Sequence, residues 1–284
     1  MRSAELTGQN GFGFSKSKGQ NFLIDANIPE KIVRLSGIDK SFCVLEVGPG
    51  MGALTERLCM AAGRVVAVEL DGRLLPILHD VFAGTHNVEF IQGDILKLDI
   101  KKLAEEKMLG VRRCVCANLP YNITTPAITT LIEAGVFDMI TVMVQREVAR
   151  RICAEPGSSD YGAFSVFVKY YAEAQILFDV PPECFKPRPK VFSSVVMIKT
   201  GSGKILTPDE QAVFFRVVRA AFGQRRKTLV NALYAAFGQS VCKEEMVEIV
   251  KRCGFNVQVR GETLDVDEFM SVARELMQGL GTRG

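Results

Sequence analysis

The chain has no tryptophan and only two histidines, His79 and His86, among 284 residues. A mechanism built on a histidine base or a histidine-rich metal centre therefore has almost no raw material. No run approaches the ~18 apolar residues that a bilayer span needs. Residues 1–20 also lack the apolar stretch of a secretory signal. Both absences point to a cytoplasmic protein with no membrane partner. None of the eight cysteines forms a C-x-x-C pair, so no metal site is expected. Cys43, Cys114 and Cys116 fall inside apolar runs and read as reduced, small hydrophobes. Charge of one sign is also missing: 35 basic against 32 acidic residues leave +3. That excludes a strongly basic coat protein, and any nucleic-acid contact has to come from local clusters. The 48% hydrophobic and 24% charged residues are those of a globular chain and exclude disorder.

What is present is a regular alternation. Residues 1–24 are rich in Gly, Ser, Lys and Asn and read as a flexible arm. A helix is expected from Asp25, with Pro29 in its first turn. Apolar runs at 42–47, 65–70, 88–92, 114–117 and 139–144 read as strands. Helical patterns at 54–62, 73–82, 101–108 and 126–133 separate them. Alternation of this kind predicts an α/β domain with a parallel sheet buried on both faces. Two further strands, 174–180 and 194–199, flank a proline-rich loop and bring the total to about seven. Thr200–Lys204 (TGSGK) reads as a linker. Thr207-Pro208-Asp209-Glu210 is a helix start, and helical periodicity runs from there to the end. The expected division is an arm (1–24), an α/β domain (25–200) and a small helical domain (205–284).

After the first of these strands comes Glu46-Val-Gly48-Pro-Gly50-Met-Gly52-Ala53. A glycine turn between a buried strand and a helix lets the backbone approach a ligand closely and aims free N–H groups at it. Glu69 ends the next strand, 21 residues beyond Gly48, where a carboxylate can accept from a ribose diol. Two cofactors fit. Gly48, Gly50 and Ala53 satisfy a dinucleotide fingerprint, whereas Glu46, Gly48, Gly50 and Gly52 satisfy the E-x-G-x-G-x-G pattern of S-adenosylmethionine enzymes. Glu46 weighs against a pyrophosphate and suits an ammonium. Asp94, after the third strand, can accept from an adenine amine while Ile95 packs on the ring.

Asn118-Leu119-Pro120-Tyr121 directly follows the fourth strand. Pro120 stiffens the turn. The loop can present the Asn118 side-chain oxygen and a backbone carbonyl as two convergent acceptors, with Tyr121 as a stacking face. Two acceptors on an adenine exocyclic amine localise its lone pair, so positioning can replace a dedicated base.

The chain resembles the ribosomal RNA adenine N6,N6-dimethyltransferase family. The resemblance rests on GQNFLID (19–25), LEVGPGMGALTERL (45–58), VVAVELD (65–71), QGDILKLD (92–99), ANLPYNITTPAI (117–128), VQREVARRI (144–152), YGAFSVFVKYY (161–171), FKPRPKVFSSVV (185–196) and FFRVVRAAFGQRRKTLVNAL (214–233). It implies a Rossmann-like methyltransferase sheet followed by a small all-helical C-terminal domain. It also implies that S-adenosyl-L-methionine is held by Asn21, Leu23, Gly48, Gly50, Glu69, Asp94, Ile95 and Asn118. The target adenine would be gripped by Asn118, Leu119, Pro120 and Tyr121, with Phe185 as a second stacking surface. The implied partner is small-subunit ribosomal RNA in an immature small ribosomal subunit, met by a monomer.

Three basic clusters are candidates for the RNA phosphates. Arg146, Arg150 and Arg151 share one helical stretch. Lys186, Arg188 and Lys190 alternate in the proline-rich loop. Arg216, Arg219, Arg225, Arg226 and Lys227 run without an intervening acid. The competing readings are a large-subunit methyltransferase of the macrolide-resistance type, a non-methylating assembly or nucleic-acid-binding factor on the same fold, and a dinucleotide oxidoreductase. The last lacks a proton-relay group beside the glycine loop, and the intact Asn118–Tyr121 loop argues against an inactive relative.

Overall fold

The computed structural model describes residues 22–109, 112–201 and 206–281. Asn21, one of the expected cofactor residues, lies outside them. In chain order the elements are β1 (Phe22–Leu23), α1 (Asn27–Ser36), β2 (Phe42–Val47), α2 (Ala53–Ala61), β3 (Arg64–Glu69), α3 (Leu74–Val81), β4 (Val88–Gln92), α4 (Ile100–Lys107), β5 (Arg112–Asn118) and α5 (Thr124–Glu133). They continue with β6 (Met139–Gln145), α6 (Arg146–Ile152), α7 (Ala163–Tyr171), β7 (Ala172–Val180), β8 (Phe185–Lys186) and β9 (Ser193–Thr200). Four helices close the chain: α8 (Pro208–Gly223), α9 (Leu229–Phe237), α10 (Lys243–Arg252) and α11 (Val266–Gly281). No helix among the described residues is long and apolar enough to cross a membrane.

Seven strands form one sheet in the order β4-β3-β2-β5-β6-β9-β7. The pairs β2–β3, β2–β5, β3–β4 and β5–β6 are parallel. Every residue of β2 is buried, as is all of β3 after Arg64. A strand sealed on both faces gains about 25 cal/mol per Å² of apolar surface buried, which is why these segments read as unbroken apolar runs. The sheet is not parallel throughout, because β9 runs antiparallel to β6. β9 follows β7 through a loop and not through a crossover helix, and that reverses the chain. β3 and β4 lie on one side of β2, and β5 and β6 on the other. The carboxyl ends of β2 and β5 therefore flank a topological switch point, where open α/β sheets bind ligands.

Two expectations change. The segment ending at residue 24 is not all loose arm: Phe22–Leu23 pairs antiparallel with Phe185–Lys186, and the Ile24 N–H donates to the Cys184 carbonyl at 2.9 Å. Phe22 is buried beside Met51, Leu74, Leu78 and Phe82, which supplies the burial that anchors this short strand. The second change concerns the domain boundary. The chain divides into two compact units, 22–149 with Glu173–Gly201, and Arg150–Ala172 with 206–281. One division between the units falls at Gly201, near the expected position, while α7 groups with the helical unit. Its Val166 and Tyr170 share a core with Phe214, Val218, Leu233 and Phe269. The Tyr161 hydroxyl donates to the Leu264 carbonyl at 2.8 Å. Residues 202–205 of the expected linker lie outside the described segments.

Local chemistry sets the two helix starts that matter most. At α8, Thr207 and Glu210 cap each other: the Thr207 N–H donates to Glu210 Oε2 at 2.8 Å, and the Glu210 N–H to Thr207 Oγ1 at 3.3 Å. At α2 the cap is Gly52 in the left-handed region, φ 84°. A Cβ there would come within 2.6 Å of the Phe82 ring. Gly52→Ala is expected to lose about 1–2 kcal/mol from the left-handed backbone alone, and more from the clash. Urea unfolding checks this; an unchanged midpoint would mean the loop relaxes freely.

Candidate active site

The ends of the parallel strands converge on one cleft, with about 1030 Å³ of free space when the open solvent at its mouth is included. Its walls come from Glu46–Met51 at the end of β2 and just beyond it, Val68–Leu70 at the end of β3, Gly93–Ile95 after β4, and Asn118–Tyr121, which begins at the last residue of β5. Phe22 and Leu23 border it from the short ribbon. Sequence-expected residues far apart in the chain are thus brought together: Leu23, Gly48, Gly50, Glu69, Asp94, Ile95, Asn118, Leu119, Pro120 and Tyr121 all line it.

The glycines are required by geometry. Gly48 and Gly50 have φ of 70° and 60°, where a side chain is strained. A Cβ on Gly48 would already touch Pro120 Cδ at 4.0 Å, so the glycine loop and the Asn118 loop face each other at contact distance.

Glu69 is 3% exposed. Its Oε2 accepts the Gly50 N–H at 3.2 Å and its Oε1 the Asp71 N–H at 2.8 Å. Each oxygen keeps further acceptor capacity, enough for a vicinal diol. Burial pushes the Glu69 carboxyl above the usual range. The two N–H donors oppose this and the Asp71 charge adds to it. Asp94 Oδ1 accepts the Leu96 N–H at 3.1 Å, and Asp94 lines the cleft beside buried Ile95.

Glu46 is the least settled group in the cleft. It is 1% exposed and its Oε2 has no hydrogen-bond partner among the described residues. Burial pushes its carboxyl up to about 8; nearby Thr55 pulls down without a well-formed hydrogen bond, and Glu69 pushes further up. A buried, unpartnered carboxyl facing a cavity suits a ligand that brings a positive charge. The cleft therefore fits a nucleoside joined to a cationic chain: a diol acceptor, an acid beside an apolar plate, a glycine cradle and an acid awaiting a cation.

The Asn118 loop is held firmly. The Leu119 N–H donates to the Met143 carbonyl at 3.2 Å. The Pro120 carbonyl accepts from the Ile123 N–H and the Thr124 hydroxyl, both at 3.1 Å. The Tyr121 hydroxyl shares a 2.7 Å hydrogen bond with buried Ser193 Oγ, and burial raises the phenol above its ordinary value.

Phe185 departs from expectation. Its ring is 3% exposed, packs in the core with Val180, Cys184 and Val195, and does not line the cleft. Its pairing with Leu23 across the β1–β8 ribbon puts it under the cleft's border, so it offers no stacking face in this structure. Residues missed by sequence reasoning are the apolar ones, Met51 and Leu70. Leu70 lines the cleft and is 56% exposed, a setting that only the structure reveals.

The basic clusters sort unevenly. Lys186, Arg150, Arg219, Arg226 and Lys227 are exposed. Arg188 pairs with Glu183. Arg225 is committed to the helical unit: its Nε donates to Glu262 Oε2 at 2.5 Å and its guanidinium reaches the Ser158 carbonyl at 3.2 Å. Arg146 stacks over Phe192. Arg225→Ala is expected to lower the helical unit's stability by about 1 kcal/mol. In the phosphate-contacting role expected for Arg226, Arg226→Ala would leave stability alone and reduce the slope of log affinity for RNA against log salt by roughly 0.7–0.9. Melting curves and salt titrations of both variants separate the two roles.

The sequence model described as "Ribosomal RNA adenine dimethylase" matches residues 11–278. A relative from Pelotomaculum thermopropionicum, "Ribosomal RNA small subunit methyltransferase A", is 45% identical over 98% of this chain and 96% of its own length. The protein of the same name from Geobacillus thermodenitrificans is 44% identical over 97% of this chain and 95% of its own. Among solved structures, a dimethyladenosine transferase from Plasmodium falciparum superposes with a TM-score of 0.79 at 25% identity, covering 91% of this chain and 98% of that one. The 23S rRNA methyltransferase ErmE shares the fold, with a TM-score of 0.69 at 22% identity over 91% of this chain and 100% of that one.

Proposed function

Because this chain belongs to the ribosomal RNA adenine dimethylase family, we infer that it transfers methyl groups from S-adenosyl-L-methionine to N6 of adenosines in small-subunit ribosomal RNA. Each target adenosine receives two. The observation that carries the reading is the single cleft in which the glycine loop and Glu69 meet the Asn118–Tyr121 loop at contact distance. The small-subunit substrate is supported by full-length similarity to small-subunit enzymes. An immature subunit, whose adenosines are still accessible, is the form in which the RNA is met. The protein acts as a monomer in the cytoplasm.

S-adenosylmethionine, when bound, supplies an electrophilic methyl group. Glu69 would hold its ribose, Asp94 and Ile95 its adenine, and the glycine loop with Glu46 its amino-acid end. The remaining work falls on the target base. Its exocyclic amine is a poor nucleophile because the lone pair is delocalised into the ring. Asn118 Oδ1 accepts one N–H. The Pro120 carbonyl is already engaged twice, so the Leu119 carbonyl is the backbone acceptor for the other. Two acceptors favour a pyramidal nitrogen and stabilise the positive charge that develops on it as the new bond forms. Tyr121, anchored through Ser193, supports the base from its face. The target adenosine must leave its stack to arrive here, which costs least at an unpaired position.

The test is to incubate the protein with tritiated S-adenosylmethionine and undermethylated small subunits, then digest the RNA to nucleosides. Label is expected in N6,N6-dimethyladenosine, and its absence there would sink the reading.

A further inference from the structure

Phe192 has no part in the site described so far, and its setting is unusual. It is 39% exposed, and Val191 before it is 42% exposed. Yet the ring is not a loose surface side chain. The guanidinium carbon of Arg146 lies 4.6 Å from its centroid, and the Phe192 carbonyl accepts the Arg146 N–H at 2.9 Å. The next residue, Ser193, is fully buried and hydrogen-bonded to the Tyr121 hydroxyl. Ser193 faces Gln145 at the carboxyl end of β6, and β6 pairs with β5, which ends in Asn118. Phe192 therefore stands on the same edge of the sheet as the adenine loop, one residue from the anchor of Tyr121.

An exposed aromatic ring fixed at backbone and ring gains free energy only when something covers it. The chemistry around it selects the cover. A guanidinium lies against the ring, and Lys190 is exposed two residues away. An aromatic face with cations beside it suits a nucleobase and its phosphate. An adenosine drawn into the cleft also leaves a neighbour that has lost its stacking partner.

We propose that Phe192 and Arg146 form a stacking platform for an unpaired base flanking the target adenosine. The ring replaces the stack lost on extrusion, and the guanidinium holds the accompanying phosphate. Phe192 thereby helps determine which RNA segment is held open for methylation. The proposal rests on the RNA adenine dimethylase reading for its choice of ligand.

Phe192→Ala, Phe192→Leu and Phe192→Tyr test it, with S-adenosylmethionine affinity as the check that the fold is intact. The first readout is binding of a single-stranded RNA carrying 2-aminopurine, whose fluorescence is quenched on stacking. The second is the split between KM and kcat on undermethylated small subunits. The alanine and leucine variants are expected to bind RNA about tenfold more weakly and to lose the quench, within the range for one stacked base. Their change should fall on KM more than on kcat, and the tyrosine variant should behave as wild type. RNA affinity unchanged in the alanine and leucine variants overturns the platform even where methylation proceeds. So does a tyrosine variant as impaired as the alanine one. If the wild type binds RNA through Phe192 but never labels adenine N6, the dimethylase reading fails and the platform stands.

Discussion

Asn118→Ala is expected to reduce methyl transfer by about 10²–10³-fold in kcat, the cost typical of removing one group that stabilises developing charge, with S-adenosylmethionine affinity little changed. The reason is when the interaction acts. In the ground state the amine's N–H groups are ordinary donors that water would satisfy equally well. As the nitrogen bonds to the methyl carbon it becomes positive, and a fixed acceptor on its N–H strengthens. Asn118 sits at the end of β5, whose neighbour β6 holds the adjacent Leu119 N–H through the Met143 carbonyl, so the backbone that carries the acceptor is fixed before the substrate arrives. In the proposed arrangement the donor would be held mainly by Glu69 and the glycine loop, with Asn118 only at its edge, so the substitution would leave most of the donor's contacts in place. Asn118→Gln moves the acceptor by a methylene, and a shift near 1 Å can itself cost on the order of 10²-fold. Single-turnover transfer of labelled methyl, paired with calorimetric donor binding, distinguishes these outcomes. A variant that keeps most of its turnover would remove Asn118 from the reaction.

The parts of this site that were legible in the sequence are those whose chemistry forces a residue type at a strand end. Gly48 and Gly50 must be glycine because the loop needs positive φ beside Pro120. Glu69 closes the buried strand β3, and Asp94 stands just past the end of β4, both on the side where the sheet meets the cleft. Apolar contributors such as Met51 and Leu70 carry no such mark, because leucine and methionine are equally at home in any core. Phe185, expected as a stacking surface, is buried in this structure. A phenylalanine in a proline-rich loop reads as available for stacking, and only the pairing of Leu23 with Phe185 across more than half the chain reveals that it is buried. Arg225 looked like the heart of a basic patch until Glu262, 37 residues away in sequence, took its charge. The helical unit's claim on 150–172 was hidden similarly. Composition changes at 200, but the packing of Tyr170 on Phe214 does not follow chain order.

Glu46 should make the stability of the ligand-free protein depend on pH in a direction opposite to the usual carboxylate. Its folded value, near 8, lies above its ordinary 4.5, chiefly because the carboxyl is buried. Below 4.5 both folded and unfolded forms carry the proton and nothing is lost. Between 4.5 and about 8 the unfolded chain ionises while the folded one does not, so unfolding becomes easier by about 1.4 kcal/mol per pH unit. Above 8 the full cost is present. The groups around it reinforce this: Glu69 pushes the same way, and the neighbouring thiols of Cys59 and Cys116 are themselves held neutral by burial. Urea unfolding of the ligand-free protein from pH 5 to pH 9 is expected to show the fall, and Glu46→Gln to remove most of it. A cationic ligand favours the ionised carboxylate, so S-adenosylmethionine should bind more tightly as pH rises towards 8 and should release a proton on binding at neutral pH. Calorimetry in two buffers of different ionisation enthalpy reads that proton directly, without turnover. In Glu46→Gln the proton release should vanish and affinity should fall by about tenfold or more, in line with the 1–3 kcal/mol of a lost charged hydrogen bond. Wild-type binding heats identical in both buffers would mean that Glu46 keeps its proton and takes no part in holding the ligand's charge.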